Sequence, residues 1–356
     1  MSYRVSLETL GPASLPATIE LSQTVYPGQD PSDPVHMRWK LLENPQGPSL
    51  AWHLWEGDTL VGRVCYQVRE FDAGKRRLRA GFVVDLLIHP AHRGLETFLL
   101  LMRRLREVPG FDFLYLTPNA ASAPLYAYVL KLRVAHRLSV VGFPVRSGAL
   151  LESLLGRRGR ALSGIADATL RAGIRAWGAL CARQPRDFEV GEEAPSDAEL
   201  DALAARFAAA GGLEGRRDAS FQRWRFHASP RNRYQVAYLR RSNRLAGWIA
   251  TRSADYLGYA TLFVIDVRTD ATLAARELRF VKRWLLERAL AEERDLVLGI
   301  FMREHPRLAR FCTFPLLTVP VRLLPQPVDL HVIDLKGGAP ADPRELALTL
   351  ADLDVF

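Results

Sequence analysis

"VVDLLIHPAHRGLET", Val83–Thr97, begins as an apolar strand, stops at a His-Pro and passes through Arg-Gly into an apolar helical pattern. A near-continuous apolar strand is buried on both faces, so it belongs inside a sheet covered by helices. Pro90 ends it, because proline cannot donate to a strand ladder. A strand that turns into a helix aims unpaired backbone N–H groups and the positive end of the helix dipole at one spot, and such a spot binds phosphate. Arg93 adds charge there, and Gly94 leaves the backbone open to an approaching anion.

The surrounding segments extend this reading. "YRVSLETL" alternates as a strand, and "SLPATIELSQTVY" is helical with Ser14 as its expected N-cap. "AWHLWEGDTLVGRVCYQVRE" gives two strands around a Gly-Asp turn. After the opening stretch, a helix is expected from about Gly94 to Val108, then the strand "FDFLYLT", a helix from about Ser122 and the strand "LSVVGFPV".

The same order then recurs. A shift of 185 residues lays Trp39, Pro45 and Gly62 on Trp224, Pro230 and Gly247, and "LVG" at Leu60 on "LAG" at Leu245. Shortening one loop by four residues aligns "FVVD" at Phe82 with "FVID" at Phe263. Two copies of one α/β domain are therefore expected, each a mixed central sheet flanked by helices. The expected divisions are 1–148, a basic helical linker 149–186, a second domain 187–336 and a C-terminal tail 337–356.

The linker carries seven arginines and two acids, with Leu170, Ile174, Trp177 and Cys181 at helical spacing. It reads either as a connector helix packed on the domains or as a basic amphipathic helix on a membrane or an acidic partner. Its five glycines, from Gly156 to Gly178, weigh against one continuous helix.

With 356 residues, 48% hydrophobic content and a formal charge of +9, the chain is globular and suited to anionic ligands. Cys65, Cys181 and Cys312 lie far apart, which excludes a disulfide framework and fits a reduced, cytoplasmic compartment. No apolar run reaches the ~20 residues that span a bilayer. No DNA-binding helix pair or interleaved aromatic and basic motif is present, so no nucleic-acid partner is expected. His89 and His92 have the spacing of a ligand pair, but no third ligand accompanies them, and no metal is expected.

"DLLIHPAHRGLET" resembles the acyl-CoA loop of the GNAT N-acetyltransferase superfamily, V-x-P-x-x-R-G-x-G-x-G/A, with Ile88, Pro90, Arg93 and Gly94 matching. "TPNAASAPLYAY" is similar to the family's later N-x-x-A/S-x-x-L-Y, with Asn119, Ser122, Leu125 and Tyr126 at its spacing. "RWKLLENPQG" resembles a segment of some bacterial GNAT proteins, several linked to surface polysaccharide synthesis. The resemblance implies two tandem GNAT-like domains and an acyl-CoA-dependent N-acyltransferase with acetyl-CoA, or another acyl-CoA, as co-substrate. Its acceptor would be a small amine or amino sugar. Leu86, Leu87 and Ile88 would hold the pantetheine and carbonyl, and Arg93, Gly94, Leu95, Glu96 and Thr97 the pyrophosphate. Asn119 would help hold the cofactor, Tyr126 would protonate the leaving thiolate, and Asp85 would remove the amine proton.

Each role has a structural rival. Asp85 recurs as Asp266 in the copy without the loop, which suits a residue bonded within each fold, and Tyr126 reads equally as core. Trp39 and Trp224 recur together, which argues for packing. Glu96 and Phe98 stand where the family has small residues, and Leu130 and Lys131 replace its Gly-Phe. These departures support the alternative, an inactive tandem GNAT acting as an interaction or regulatory module. The second copy has neither Arg-Gly nor the tyrosine, so it is expected to shape the acceptor pocket, and the crevice between copies is the expected acceptor site.

Overall fold

The computed structural model describes residues 2–74, 76–209 and 212–353, apart from the side chains of residues 30, 153, 154, 157 and 160. In the first half, β1 (Tyr3–Thr9) is followed by α1 (Leu15–Val25), α2 (Pro34–Leu41), β2 (Leu50–Glu56), β3 (Thr59–Ala73) and β4 (Arg76–Ile88). Then come α3 (Leu95–Met102), β5 (Phe113–Leu116), a π-helical turn at Leu125–Val129 and β6 (His136–Pro144). Two helices, α4 (Gly148–Leu155) and α5 (Arg157–Cys181), lead to the second half. It runs β7 (Phe188–Gly191), α6 (Asp197–Ala209), β8 (Leu213–Gly215), α7 (Ala219–Gln222), β9 (Gln235–Arg241), β10 (Arg244–Tyr256) and β11 (Tyr259–Thr269). It closes with α8 (Ala275–Ala291), β12 (Leu296–Phe301), α9 (Pro306–Phe311), β13 (Leu317–Thr318) and β14 (Val328–Asp334).

Local chemistry sets these boundaries. The β2–β3 hairpin turns at Gly57 and the β9–β10 hairpin at Ser242 and Asn243, all at positive φ, as tight hairpins with the right twist require. Asp33 caps α2 by accepting from the His36 N–H at 2.8 Å. Ser14 does not cap α1, contrary to expectation: its backbone is already helical and its hydroxyl bonds back to Gly11. The helix expected to reach Val108 ends at Met102, and the one expected from Ser122 is the short π-helical turn.

Each half places β4, or its counterpart β11, centrally, antiparallel to one neighbour and parallel to the next. The halves then exchange their last strands. β6 pairs antiparallel with β12 of the second half, from Ser139 opposite Phe301 to Pro144 opposite Leu296. β14 returns to pair antiparallel with β5 of the first half, Asp334 opposite Phe113, and also with β6. One continuous sheet results, ordered β1-β2-β3-β4-β5-β14-β6-β12-β11-β10-β9-β7. Its hydrogen bonding therefore crosses the divisions drawn in chain order.

Trp39 and Trp224 meet where the halves face each other. Their rings stack at 5.1 Å between centroids with planes 22° apart. Trp39 Nε1 donates to the Trp224 carbonyl at 2.8 Å, and Trp224 Nε1 donates to the Trp39 carbonyl at 3.0 Å. Reciprocal bonds between residues related by the repeat are what a local twofold axis requires. The Arg69 guanidinium lies 5.4 Å over Trp224 and that of Arg225 lies 5.8 Å over Trp39, each a cation–π contact. The packing role read from the repeat is the one observed.

The expected tail is not peripheral. Leu346–Leu353 are each at most 2% exposed. Beyond Val264, β11 loses its pairing with β12, and this segment fills the gap. Met302 N donates to Leu348 O at 3.0 Å, Thr349 pairs with Phe301, and Thr349 Oγ1 donates to Asp266 at 2.9 Å. Arg217 bridges Asp266 at 3.1 Å and Asp352 at 2.5 Å, all three nearly excluded from water. Tyr115 of the first half donates to the Asp352 carbonyl at 3.0 Å. The segment therefore fastens both halves.

α5 is continuous, contrary to the expectation drawn from its glycines. Gly156, at φ 58°, makes the turn from α4, and a Cβ at Gly159 would sit 1.9 Å from the Leu151 carbonyl, so glycine permits the close helix crossing. The last turns of α5 dock on α8, where Arg283 and Arg279 donate to the Gly178 and Cys181 carbonyls.

Trp39→Ala is expected to cost about 3–5 kcal/mol, the range for removing a buried aromatic ring, and to lower the midpoint of urea unfolding. Asp352→Ala is expected to cost about 3–5 kcal/mol, because it leaves the buried Arg217 charge half-compensated. A surface-like loss below about 0.5 kcal/mol in either titration would contradict the packing described.

Candidate functional site

The site begins where β4 and β5 part. Their parallel pairing covers only Ala80–Phe82 against Phe113–Tyr115, so Val83–Ile88 have no ladder partner on that side. Asp85 and Leu86 together oppose Val64 of β3, a bulge that re-aims the strand. Asp85 adopts φ 52°, which is costly for a residue with a Cβ and is held by its surroundings. Leu87 packs beside Leu21 and Leu60, while Leu86 and Ile88 border the apolar cluster under α3.

At the end of β4, His89 Nδ1 accepts from the Ala91 N–H and caps a short 3-10 turn. His92 meets the Tyr3 hydroxyl at 3.1 Å and lies 3.7 Å from Glu56, so both histidines have local structural partners. Among the described residues, no group of three or more His, Cys, Asp or Glu side chains is placed to hold a metal ion. Arg93 is exposed and its Nε donates to Ile88 O at 3.2 Å, leaving the other guanidinium nitrogens toward solvent. Gly94 precedes α3 without a side-chain cap, and a Cβ there would meet nothing within 4 Å. The first-turn N–H groups of α3 thus face an open approach. Leu95 is exposed, and Glu96 is an exposed acid in that turn.

Two residues differ from their expected setting. The Thr97 hydroxyl is spent on the carbonyls of His92, at 2.7 Å, and Gly94, at 3.1 Å, so it shapes the turn. The Phe98 ring, which stands where the family has a small residue, is buried in the core beside Leu101 and Met102, because it lies on the inward stripe of α3.

Tyr126 lies on the α3 side of the sheet, edge-on to Phe98 at 6.4 Å. Burial pushes its phenol above the ordinary value, so it stays protonated at neutral pH. His331, delivered by the exchanged strand β14, packs 6.5 Å from the Tyr126 ring and is held neutral by burial. Asn119 is exposed, and its side chain accepts from the Ser122 N–H and hydroxyl at 2.9 and 3.0 Å, ordering the approach to the π-helical turn.

Asp85 faces the opposite side of the sheet, toward α1 and α2. Lys40 Nζ donates to it at 2.9 Å, and the fully buried Arg63 lies 3.9 Å away. Arg63 is itself anchored to Thr18 O and Ser22 of α1. Sequence reading missed Lys40, Arg63 and His331. Arg63 carried a signal, a charge at an inward position of an apolar strand; Lys40 and His331 are brought in by tertiary contacts alone.

The counterpart region of the second half is closed. Asp266 is fully buried between Arg217 and Thr349, and the Leu346–Leu353 segment occupies the gap between β11 and β12. Nearby, Glu214 takes a bidentate pair of bonds from Arg307, both at 2.8 Å, and a further bond from Arg268. Burial alone would raise its carboxyl, but the two guanidinium groups hold it down at about 2. A cavity of about 800 Å³ does lie between the halves, lined by Asp72, Arg77, Asp197, Asp218 and Arg223 among others. It sits at the start of β4, the end opposite the bulge, and its charges pair internally, Arg216 with Asp218 at 2.7 Å and Arg223 with Asp197.

No protein-family model matches the chain, and no curated protein resembles it significantly in sequence. Solved structures resemble it in fold. A conserved protein of unknown function from Enterococcus faecalis, described as a probable N-acyltransferase, superposes over 95% of this chain and 74% of its own at a TM-score of 0.59 and 10% identity. A GCN5-related N-acetyltransferase from Anabaena variabilis gives 0.57 at 11% identity, over 92% of this chain and 72% of its own. A tandem GNAT protein from the clavulanic acid biosynthesis pathway gives 0.53 at 14% identity, over 96% of this chain and the whole of its own. Two open sheets of one topology, joined through exchanged strands and matched end to end by a tandem relative of similar extent, give this chain the tandem GNAT fold.

Proposed function

We propose that the protein is an acyl-CoA-dependent N-acyltransferase, with acetyl-CoA as the first candidate donor, working through its first half. The observation that carries this reading is the stretch Val83–Ile88, unpaired along its β5 side, continuous with the uncapped start of α3 and flanked by Tyr126 on one face and Asp85 on the other. The donor, when bound, supplies an activated thioester. The residues present fit it: Gly94 leaves the turn open, and Arg93 has free N–H groups for phosphate. Exposed Glu96 opposes an anion there but is free to turn into solvent.

In this reading Arg93, Gly94, Leu95 and the following N–H groups hold the diphosphate, with Asn119 ordering the neighbouring turn. The backbone of Leu86–Ile88, free along its β5 side, takes the amide arm and carbonyl. Tyr126, kept protonated by burial, delivers its proton to the leaving sulfur. Asp85 lies across the sheet, where the amine would enter, and orients it or accepts its proton through water while Lys40 fixes the carboxylate. The acceptor class we favour is a small amine or amino sugar, and a reduced, cytoplasmic setting suits the three free thiols. The second half acts as a scaffold that completes the first half's sheet and walls the acceptor side.

Calorimetric titration with acetyl-CoA is expected to show saturable binding, weakened roughly tenfold or more in Arg93→Ala by loss of charge-assisted bonds. With an acceptor in hand, Tyr126→Phe is expected to lower kcat about a hundredfold with little change in KM. Glu96, an acid at the anion turn, favours a second reading, an inactive interaction module. Absence of binding at millimolar acetyl-CoA, with restored binding in Glu96→Gly, would select it.

A further inference from the structure

The α4–α5 hairpin has a surface that the proposed chemistry does not use. α5 spans Arg157–Cys181, about 37 Å at 1.5 Å per residue. Its C-terminal half is committed to the body: Ile174 is buried, Trp177 meets Phe314 edge-on at 5.9 Å, and the Gly178 carbonyl accepts from Arg283. Its N-terminal half follows the Gly156 turn and packs against α4. There, Leu155 is 53% exposed, Leu162 51% and Ile165 71%. Arg158, Leu162 and Ile165, spaced by four and three, share one helix face.

Charge accompanies this face. The turn reads "LLGRRGRAL", with Arg157, Arg158 and Arg160 and no acid between Glu152 and Asp167. Asp167 is spent on the Ser147 N–H and hydroxyl, at 2.5 and 2.6 Å, where it locks the base of α4 to α5. Exposed apolar side chains interleaved with arginines, at the end of a hairpin, match the boundary between lipid headgroups and acyl chains. An acidic protein or a nucleic acid would use the arginines but leave the leucine and isoleucine in water. Among the described residues, no helix is long and apolar enough to cross a membrane, so the hairpin would lie on the surface.

We infer that the tip of the α4–α5 hairpin docks the protein on an anionic phospholipid surface, with Leu155, Leu162 and Ile165 entering the interface and the exposed Arg158 pairing with lipid phosphates. The inference stands apart from the acyltransferase reading, because it uses none of that site's residues.

The test is co-sedimentation of the full chain with phosphatidylcholine vesicles, with and without phosphatidylglycerol. The protein is expected to pellet only with the anionic vesicles. Arg158→Ser should weaken partition about fivefold, the effect of one basic residue near such a surface. The double substitution Leu162→Ser, Ile165→Ser should weaken it further while leaving the thermal midpoint unchanged, since both side chains are exposed. No pelleting with anionic vesicles overturns the proposal. So does pelleting that the double substitution leaves intact and that heparin competes away, which would make the arginines a site for a soluble polyanion.

Discussion

The reciprocal contact between Trp39 and Trp224 is the constraint on which the rest of the molecule depends. Each indole both stacks on its partner and satisfies the other's backbone carbonyl, so neither can shift without costing two buried hydrogen bonds as well as ring contact. With the halves registered there, β14 can reach β5 and β6 can reach β12. The exchanged strands make the register permanent, because each half's sheet is then bonded through a strand from the other.

That symmetry holds for the scaffold and breaks at the functional groups. Asp85 and Asp266 occupy matching strands beside matching bulges, yet one stands at positive φ against a lysine and the other is sealed between Arg217 and Thr349. Lys40 and Arg225, likewise related by the repeat, have parted: Lys40 holds a carboxylate, while Arg225 donates to Tyr234 and covers Trp39. A duplicated fold supplies two clefts. Here one strand pair parts beyond Phe82 beside a glycine-led helix, and the other gap has been packed with the chain's own Leu346–Leu353.

Much of this was legible because it follows from local pattern. The apolar run of β4, its end before Pro90 and the glycine that starts α3 are single-segment features, and the 185-residue spacing of the tryptophans reappears as the twofold contact. What escaped reading depends on distant pairing. Nothing in "HRLSVVGFP" or "VDLHVID" distinguishes a strand paired within its own half from an exchanged one, since both need the same alternation. The burial of "LALTLADL" was obscured for a similar reason: a polar-flanked terminal segment reads as a tail until a gap in the sheet exists to receive it. The glycines of α5 misled because propensity was weighed without the helix crossing that Gly159 permits.

The exchange also sets the order in which the molecule can come into being. β5, at Phe113–Leu116, is completed by residues beyond His331, so its second edge stays unpaired until more than two hundred further residues have left the ribosome. A nascent first half is therefore a sheet with a bare central edge, the kind of surface that recruits a wrong strand. The strand swap that makes the finished molecule indivisible makes its assembly a matter of timing, with the last strand to emerge closing a seam opened by the first half.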